Sequence, residues 1–171
     1  MRKSQSNSHE GRFRVRIVRR SAARALSGRK IREAVGHVLR RHGVGACDLE
    51  VAILGAAGMR RLNEEWLGHE GPTDVITFDL GEGEARRTGA AAGQVNVCWP
   101  IAQRQARLRG VRPEVELLLY VVHGVLHLLG YDDQGRAAAG RMHGKEDEML
   151  GEMGYGAVYA RDSSAESTES L

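Results

Sequence analysis

The sequence predicts an α/β (α+β) domain, a small mixed four-stranded sheet covered by helices. Two observations carry that prediction. Four short segments, FRVRIV, CDLEVAIL, VITF within GPTDVITFDL, and GQVNVCW, combine alternation with β-branched or aromatic residues, as strands do. Segments with helical spacing lie between and after them, giving the order β-α-β-α-β-β-α-α-α, which suits a mixed sheet with helical cover. A chain of 171 residues is long enough for one such domain to bury its own core.

The elements follow in order along the chain. Phe13, Val15 and Ile17 alternate with arginines, the pattern of a strand with one wet face. Ser21 is placed to cap the helix that follows, whose apolar stripe is Leu26, Ile31, Val35, Val38 and Leu39 and which closes near Gly43. CDLEVAIL is the second strand and AGMRRLNEEW a short helix. A Pro-containing turn precedes the third strand, and Gly81, Gly83, Gly89 and Gly93 mark a polar loop before the fourth. Pro100 and Pro113 each open a helix, the second of which, PEVELLLYVVHGVLHLLG, stops at Gly130. A last helix runs from about Arg136 to Leu150. The polar ends, residues 1–11 and 156–171, are expected to be disordered tails around a single domain at 12–155.

Composition narrows the setting. Cys47 and Cys98 are far apart with no C-x-x-C spacing, so they are expected to be buried small hydrophobes in a reducing cytoplasm. No apolar run reaches the roughly 18 residues of a membrane span. The net charge of +3 is uneven: residues 1–45 hold 13 of the 25 Lys and Arg with only Glu10 and Glu33 among acids. That end suits a polyanion such as RNA, or else its arginines simply solvate a helix and an edge strand. Aromatic residues make up only 5%, which argues against base stacking as the main mode of recognition.

The chemistry concentrates in YVVHGVLHLLGYDDQG. His123 and His127 stand four apart, so on a helix both rings face one point. Gly130 turns the chain and lets Asp133 return toward that point as a third ligand, leaving a coordination position open as in catalytic zinc sites. The alternative is a pair of core histidines, each satisfied by a backbone carbonyl. In form, H-x-x-x-H-x-x-G-x-x-D is related to zinc peptidases, but Gly124 stands where those enzymes carry their glutamate base. Asp132 is an alternative ligand or an orienting partner for an imidazole, and His143 on the next helix either reaches the site or lies on the surface.

The run HGVLHLLGYDD resembles the signature H-G-x-L-H-L-x-G-Y-D-H of the YbeY family of metal-dependent endoribonucleases. LNEEW, PTDVITF, GQVNVC and MHGKEDEML fall in that family's order and spacing, so the resemblance covers roughly residues 13–150. It implies a metallohydrolase domain with a metal cleft beside the HGVLH helix, one zinc ion per chain, and ligands at His123, His127 and Asp133. It also implies single-strand RNA cleavage in 3′-end maturation of small-subunit ribosomal RNA and in ribosome quality control, with ribosomal RNA and small-subunit proteins as partners; composition adds a cytoplasmic location, and the oligomeric state stays open, with a monomer expected.

Three positions depart from the family pattern. Asp133 takes the place of a histidine, Leu67 the place of an arginine important for activity, and Gln94 the place of an acidic residue. Arg60, Arg61 or His69 could replace the missing arginine as substrate-binding or catalytic groups, His69 first because it shares the loop. Asp132 is the candidate general base. Thr73 and Asp74 either frame the substrate cleft or cap the entry to a strand. The competing readings are a ribosome-assembly or RNA-binding module with weak or no catalysis, and a metallopeptidase.

Overall fold

A computed structural model describes residues 13–21, 26–81 and 89–160. Of the expected tails at 1–11 and 156–171, residues 1–11 and 161–171 lie outside the described residues. Strand β1 (Phe13–Arg20) is followed by helix α1 (Gly28–Arg41), β2 (Cys47–Leu54), α2 (Ala56–Leu67), β3 (Val75–Asp79), β4 (Ala91–Cys98), α3 (Trp99–Arg109), α4 (Pro113–Leu128) and α5 (Arg136–Glu152). The sheet order is β1-β2-β4-β3, with β1, β2 and β4 parallel and β3 antiparallel to β4. The mixed four-stranded sheet is therefore the predicted one.

Alternation in β1 points Phe13, Val15 and Ile17 toward the core. Its outward arginines meet acids directly across the parallel register: Arg14 lies 3.3 Å from Asp48 and Arg16 lies 2.9 Å from Glu50. Helix α4 is the central pillar. Its residues Leu117, Leu118, Leu119, Val121, Val122, Val125 and Leu126 are all buried, packed with Leu49, Val51 and Ile53 of β2 and Val95 and Val97 of β4. Helix α2 closes a smaller core of Ala52, Leu54, Met59, Ile76 and Cys98. Both cysteines are buried and free, as the sequence suggested.

Two glycines let α4 approach the sheet closely. A Cβ added at Gly124 would stand 2.4 Å from a Val95 methyl, and one at Gly93 would stand 2.6 Å from the Phe78 carbonyl oxygen and 2.7 Å from a Leu128 methyl. Gly93 is thus not a loop residue: β4 begins at Ala91, and residues 82–88 of the expected loop lie outside the described residues.

Boundaries differ from expectation in two further places. Helix α1 is capped by Ser27, whose hydroxyl accepts from the Lys30 N–H at 3.3 Å, rather than by Ser21; residues 22–25 lie outside the described residues. At the other end the packed chain runs past residue 155. Val158 is buried, and Asp147 of α5 accepts backbone N–H bonds from Val158, Tyr159 and Ala160 at 2.6, 3.1 and 2.9 Å. Among the described residues, no helix is long and apolar enough to cross a membrane.

Candidate metal centre

The last turns of α4 place His123 and His127 one above the other, with ring centroids 4.4 Å apart. The helix ends at Leu128, Gly130 takes φ +91°, and the Tyr131 N–H returns to the Leu126 carbonyl at 3.1 Å. A side chain at Gly130 would oppose that left-handed turn. The turn brings Asp133 back: its carboxylate oxygens lie 3.8 Å from His123 Nε2 and 3.8 Å from His127 Nε2. All three ligand atoms fall within 4.8 Å of one another.

The remote ring nitrogens explain how the imidazoles are aimed. His127 Nδ1 donates to the Tyr131 carbonyl at 3.0 Å, and His123 Nδ1 donates to Glu146 of α5 at 2.5 Å. Both Nδ1 atoms then carry the hydrogen, so both Nε2 atoms are lone-pair donors, and they face each other at 2.9 Å. Two facing lone pairs repel unless a proton or a metal cation lies between them. Nitrogens bound to one tetrahedral zinc at about 2.0–2.1 Å are roughly 3.3 Å apart, a few tenths from this spacing. Two imidazoles and a carboxylate, with the rings fixed from behind, therefore fit a divalent metal. Burial pushes the His123 pKa down, but the hydrogen bond and charge of Glu146, helped by Asp133 and Asp74, outweigh it, leaving it above the usual histidine value.

The centre opens into a cleft of about 720 Å³. Strand β3 and the residues before it form one wall, the end of α3 another, and α4, His143 of α5 and Tyr159 the rest. Thr73 and Asp74 both border it and cap the strand entry: Asp74 accepts from the Thr73 hydroxyl at 3.0 Å and from the Val75 N–H at 2.9 Å. The two readings of that pair thus hold together.

A family model described as Endoribonuclease YbeY matches residues 17–154. The chain belongs to the endoribonuclease YbeY family. It is 39% identical over 133 residues to a protein of Chlorobium phaeovibrioides named Endoribonuclease YbeY, covering 78% of this chain and 86% of that one. A protein of the same name from Geobacter sulfurreducens is 33% identical over 141 residues, covering 81% and 94%. The solution structure of Thermotoga maritima TM1509 superposes with a TM-score of 0.53 at 28% identity, covering 81% of this chain and 91% of that one.

Within the family frame, several expected residues lie elsewhere. Asp132 is exposed, accepts the Gln134 N–H at 3.0 Å as a turn residue, and borders a separate groove with Arg141. The partner that orients an imidazole is Glu146, fully buried, not Asp132. Arg60 and His69 are exposed and do not line the cleft, while Arg61 lines a different groove with Arg20, Gln94 and Asn96. Leu67 does line the cleft, 48% exposed, so the position that departs from the family pattern is at the site. His143 borders the cleft too, its ring stacked on Tyr159 at 3.7 Å. The sequence reading missed Glu146, Arg109 and Tyr159. A charged residue on an otherwise apolar helical face was the available signal, and it was visible only for Glu116, which Arg109 pairs with.

Proposed function

We propose that this chain is a zinc-dependent endoribonuclease that cuts single-stranded RNA, acting in the cytoplasm as a monomer on the 3′ end of small-subunit ribosomal RNA and in ribosome quality control, alongside small-subunit proteins. The observation that carries the reading is the convergence of His123, His127 and Asp133 at the head of an open cleft in a chain of the endoribonuclease YbeY family.

Zinc held there supplies Lewis acidity toward a phosphoryl oxygen and lowers the pKa of a bound water toward about 7. The chain's own residues do the rest. Glu146 and the Tyr131 carbonyl hold the two rings so that Nε2 is the free atom of each. Asp133 adds a negative charge, which makes the centre harder and less acidic than a third imidazole would. Three ligands leave room for substrate at the open side.

Elemental analysis of metal per chain, with His127→Ala and Asp133→Ala beside the wild type, tests the site. One zinc per wild-type chain, lost in both variants together with cleavage of a single-stranded RNA, is the expected result. A wild-type chain that binds no metal when zinc is supplied refutes it.

An RNA-binding assembly module without catalysis is favoured by one observation, Leu67 in the cleft wall. Leu67→Arg separates the two, since it raises cleavage by a weak enzyme and does nothing for a pure binding module. The metallopeptidase reading loses ground at Gly124, where even a methyl group collides with Val95, so no glutamate base fits.

A further inference from the structure

The tyrosine rings of the cleft are already engaged. Tyr120 is buried, and Tyr159 carries His143 stacked at 3.7 Å and Arg109 over its ring at 4.6 Å. Arg109 is itself paired at 3.2 Å with the buried Glu116. A metal held by His123, His127 and Asp133 would attract phosphate, which leaves the bases of a bound strand to be met elsewhere.

An open aromatic ring stands just outside. Trp66, in the last turn of α2, is 63% exposed, too open for its indole to be covered on both faces. Its ring meets Phe78 of β3 at a centroid distance of 5.4 Å and 64° between planes. Among the described residues, Trp66, Leu67 and Leu80 are three of the four large apolar side chains left exposed. Alternation along β3 puts Phe78 and Leu80 on the side of the strand away from Val75, Thr77 and Asp79, which border the cleft. The apolar strip Trp66, Phe78, Leu80 therefore follows the outer side of β3, which is an edge strand of the sheet.

The strip is continuous with the cleft. Leu67, the residue after Trp66, lines the cleft wall, so the ring is one residue away from the space around the metal ligands. Its backbone is anchored: the buried Asn63, one turn earlier, donates to the Gly71 carbonyl at 2.8 Å and ties α2 to the loop that leads to Thr73 and Asp74. An indole moves about two side-chain torsions only, so holding it against a ligand costs little conformational freedom. The charges nearest in the chain are mixed, Arg60 and Arg61 with Glu64, Glu65 and Glu70, and they favour no phosphate there. A flat apolar face suits a nucleobase instead, because every base has a π-face.

We propose that Trp66 is a stacking platform for one nucleobase of the RNA strand, where the strand passes Leu67 at the mouth of the cleft. The proposal rests on the endoribonuclease reading. Its test is kcat/KM of the zinc-loaded full chain, as wild type, Trp66→Ala and Trp66→Phe, on a single-stranded RNA oligonucleotide. The same oligonucleotide is also made with one abasic nucleotide, moved through every position.

Trp66→Ala is expected to lose about 5- to 100-fold in kcat/KM, the range of one base–aromatic contact, and Trp66→Phe to recover most of it. The log–log salt dependence keeps its slope, because no phosphate contact is removed. Metal content stays at the wild-type value. One abasic position slows the wild type by a similar factor and is cleaved equally well by Trp66→Ala. Wild-type kcat/KM in Trp66→Ala, as a protein-docking role for the strip would give, overturns the proposal. So does a loss that no abasic position equalises.

A second measurement leaves position 66 intact. In Trp99→Phe, Trp66 is the remaining tryptophan, and its fluorescence is expected to be quenched when the oligonucleotide binds, before turnover. RNA binding without any change in that emission overturns the stack, whether or not Trp66→Ala folds. A wild-type chain that holds zinc but cleaves no RNA refutes the endoribonuclease reading instead, and the fluorescence titration then decides the platform by itself.

Discussion

Replacing Gly124 by alanine probes the contact that sets the metal centre against the sheet. The new Cβ would lie 2.4 and 3.1 Å from the two Val95 methyls and 2.9 Å from the Thr77 hydroxyl. Carbon atoms rest at about 3.5–4.0 Å, so α4 must retreat by about 1 Å or Val95 must leave its rotamer. Valine in a strand is stiff, and both methyls are in the way, which favours retreat of the helix.

Overpacking of this kind costs about 1–3 kcal/mol, and the upper end applies where the neighbours are held in strands. Alanine returns about 1 kcal/mol in helix propensity. The net loss is about 2 kcal/mol, or about 4–8 °C in melting temperature for a domain of this size. Retreat also carries His123 and His127 away from Asp133, and metal sites tolerate only about 0.2 Å in ligand distance. Thermal unfolding of the metal-free chain by circular dichroism, followed by zinc titration against a chromophoric chelator, measures both effects. A Gly124→Ala chain that melts at or above the wild type would refute the close packing, because only the propensity gain would then remain.

Three other perturbations have definite outcomes. Glu146→Gln keeps the shape but removes the charge behind His123, and zinc affinity falls about 10–100-fold in the same chelator titration; unchanged affinity sinks the orienting role. Asp132→Asn leaves metal content and the pH–rate profile as they are, because that carboxylate serves a turn outside the cleft; a displaced profile would reinstate it as the base. Asp147→Ala releases three backbone N–H groups of residues 158–160, and with them the seat of Tyr159. Charge-assisted bonds are worth about 1.5–3 kcal/mol each when intact, so melting falls by several degrees and amide exchange at Val158 accelerates. Wild-type exchange there would show that other contacts hold the segment.

The fold was legible where side-chain period and burial coincide. CDLEVAIL reads as β2 from end to end, and alternation in FRVRIV assigns the wet face of β1 correctly. The convergence of His123, His127 and Asp133 was legible for the same reason: i,i+4 spacing followed by a glycine turn is local geometry, and the sequence contains all of it. What escaped was contact between distant segments. Glu146 is one acid among several in KEDEML, and nothing in that run says which carboxylate faces inward. Arg109 and Tyr159 lie fifty positions apart. Arg60, Arg61 and His69 were chosen for nearness in sequence to Leu67, but α2 turns Arg61 to another groove, and His69 lies in the exposed loop beyond it. Likewise part of the charge of the basic N-terminal third is answered by acids that come later in the chain: Arg14 and Arg16 by Asp48 and Glu50, and Arg41 by Glu148 and Glu152.

The three bonds to Asp147 have a consequence for the order in which the molecule is made. A nascent chain that has emerged only through α4 already carries both imidazoles, yet it has neither the carboxylate that aims His123 nor the ring beneath Arg109. Domains fold as units during synthesis. One side of the cleft is supplied by Tyr159, in a segment bonded to Asp147 of α5. A fragment that stops before that segment holds His123, His127 and Asp133 without the full chamber they line.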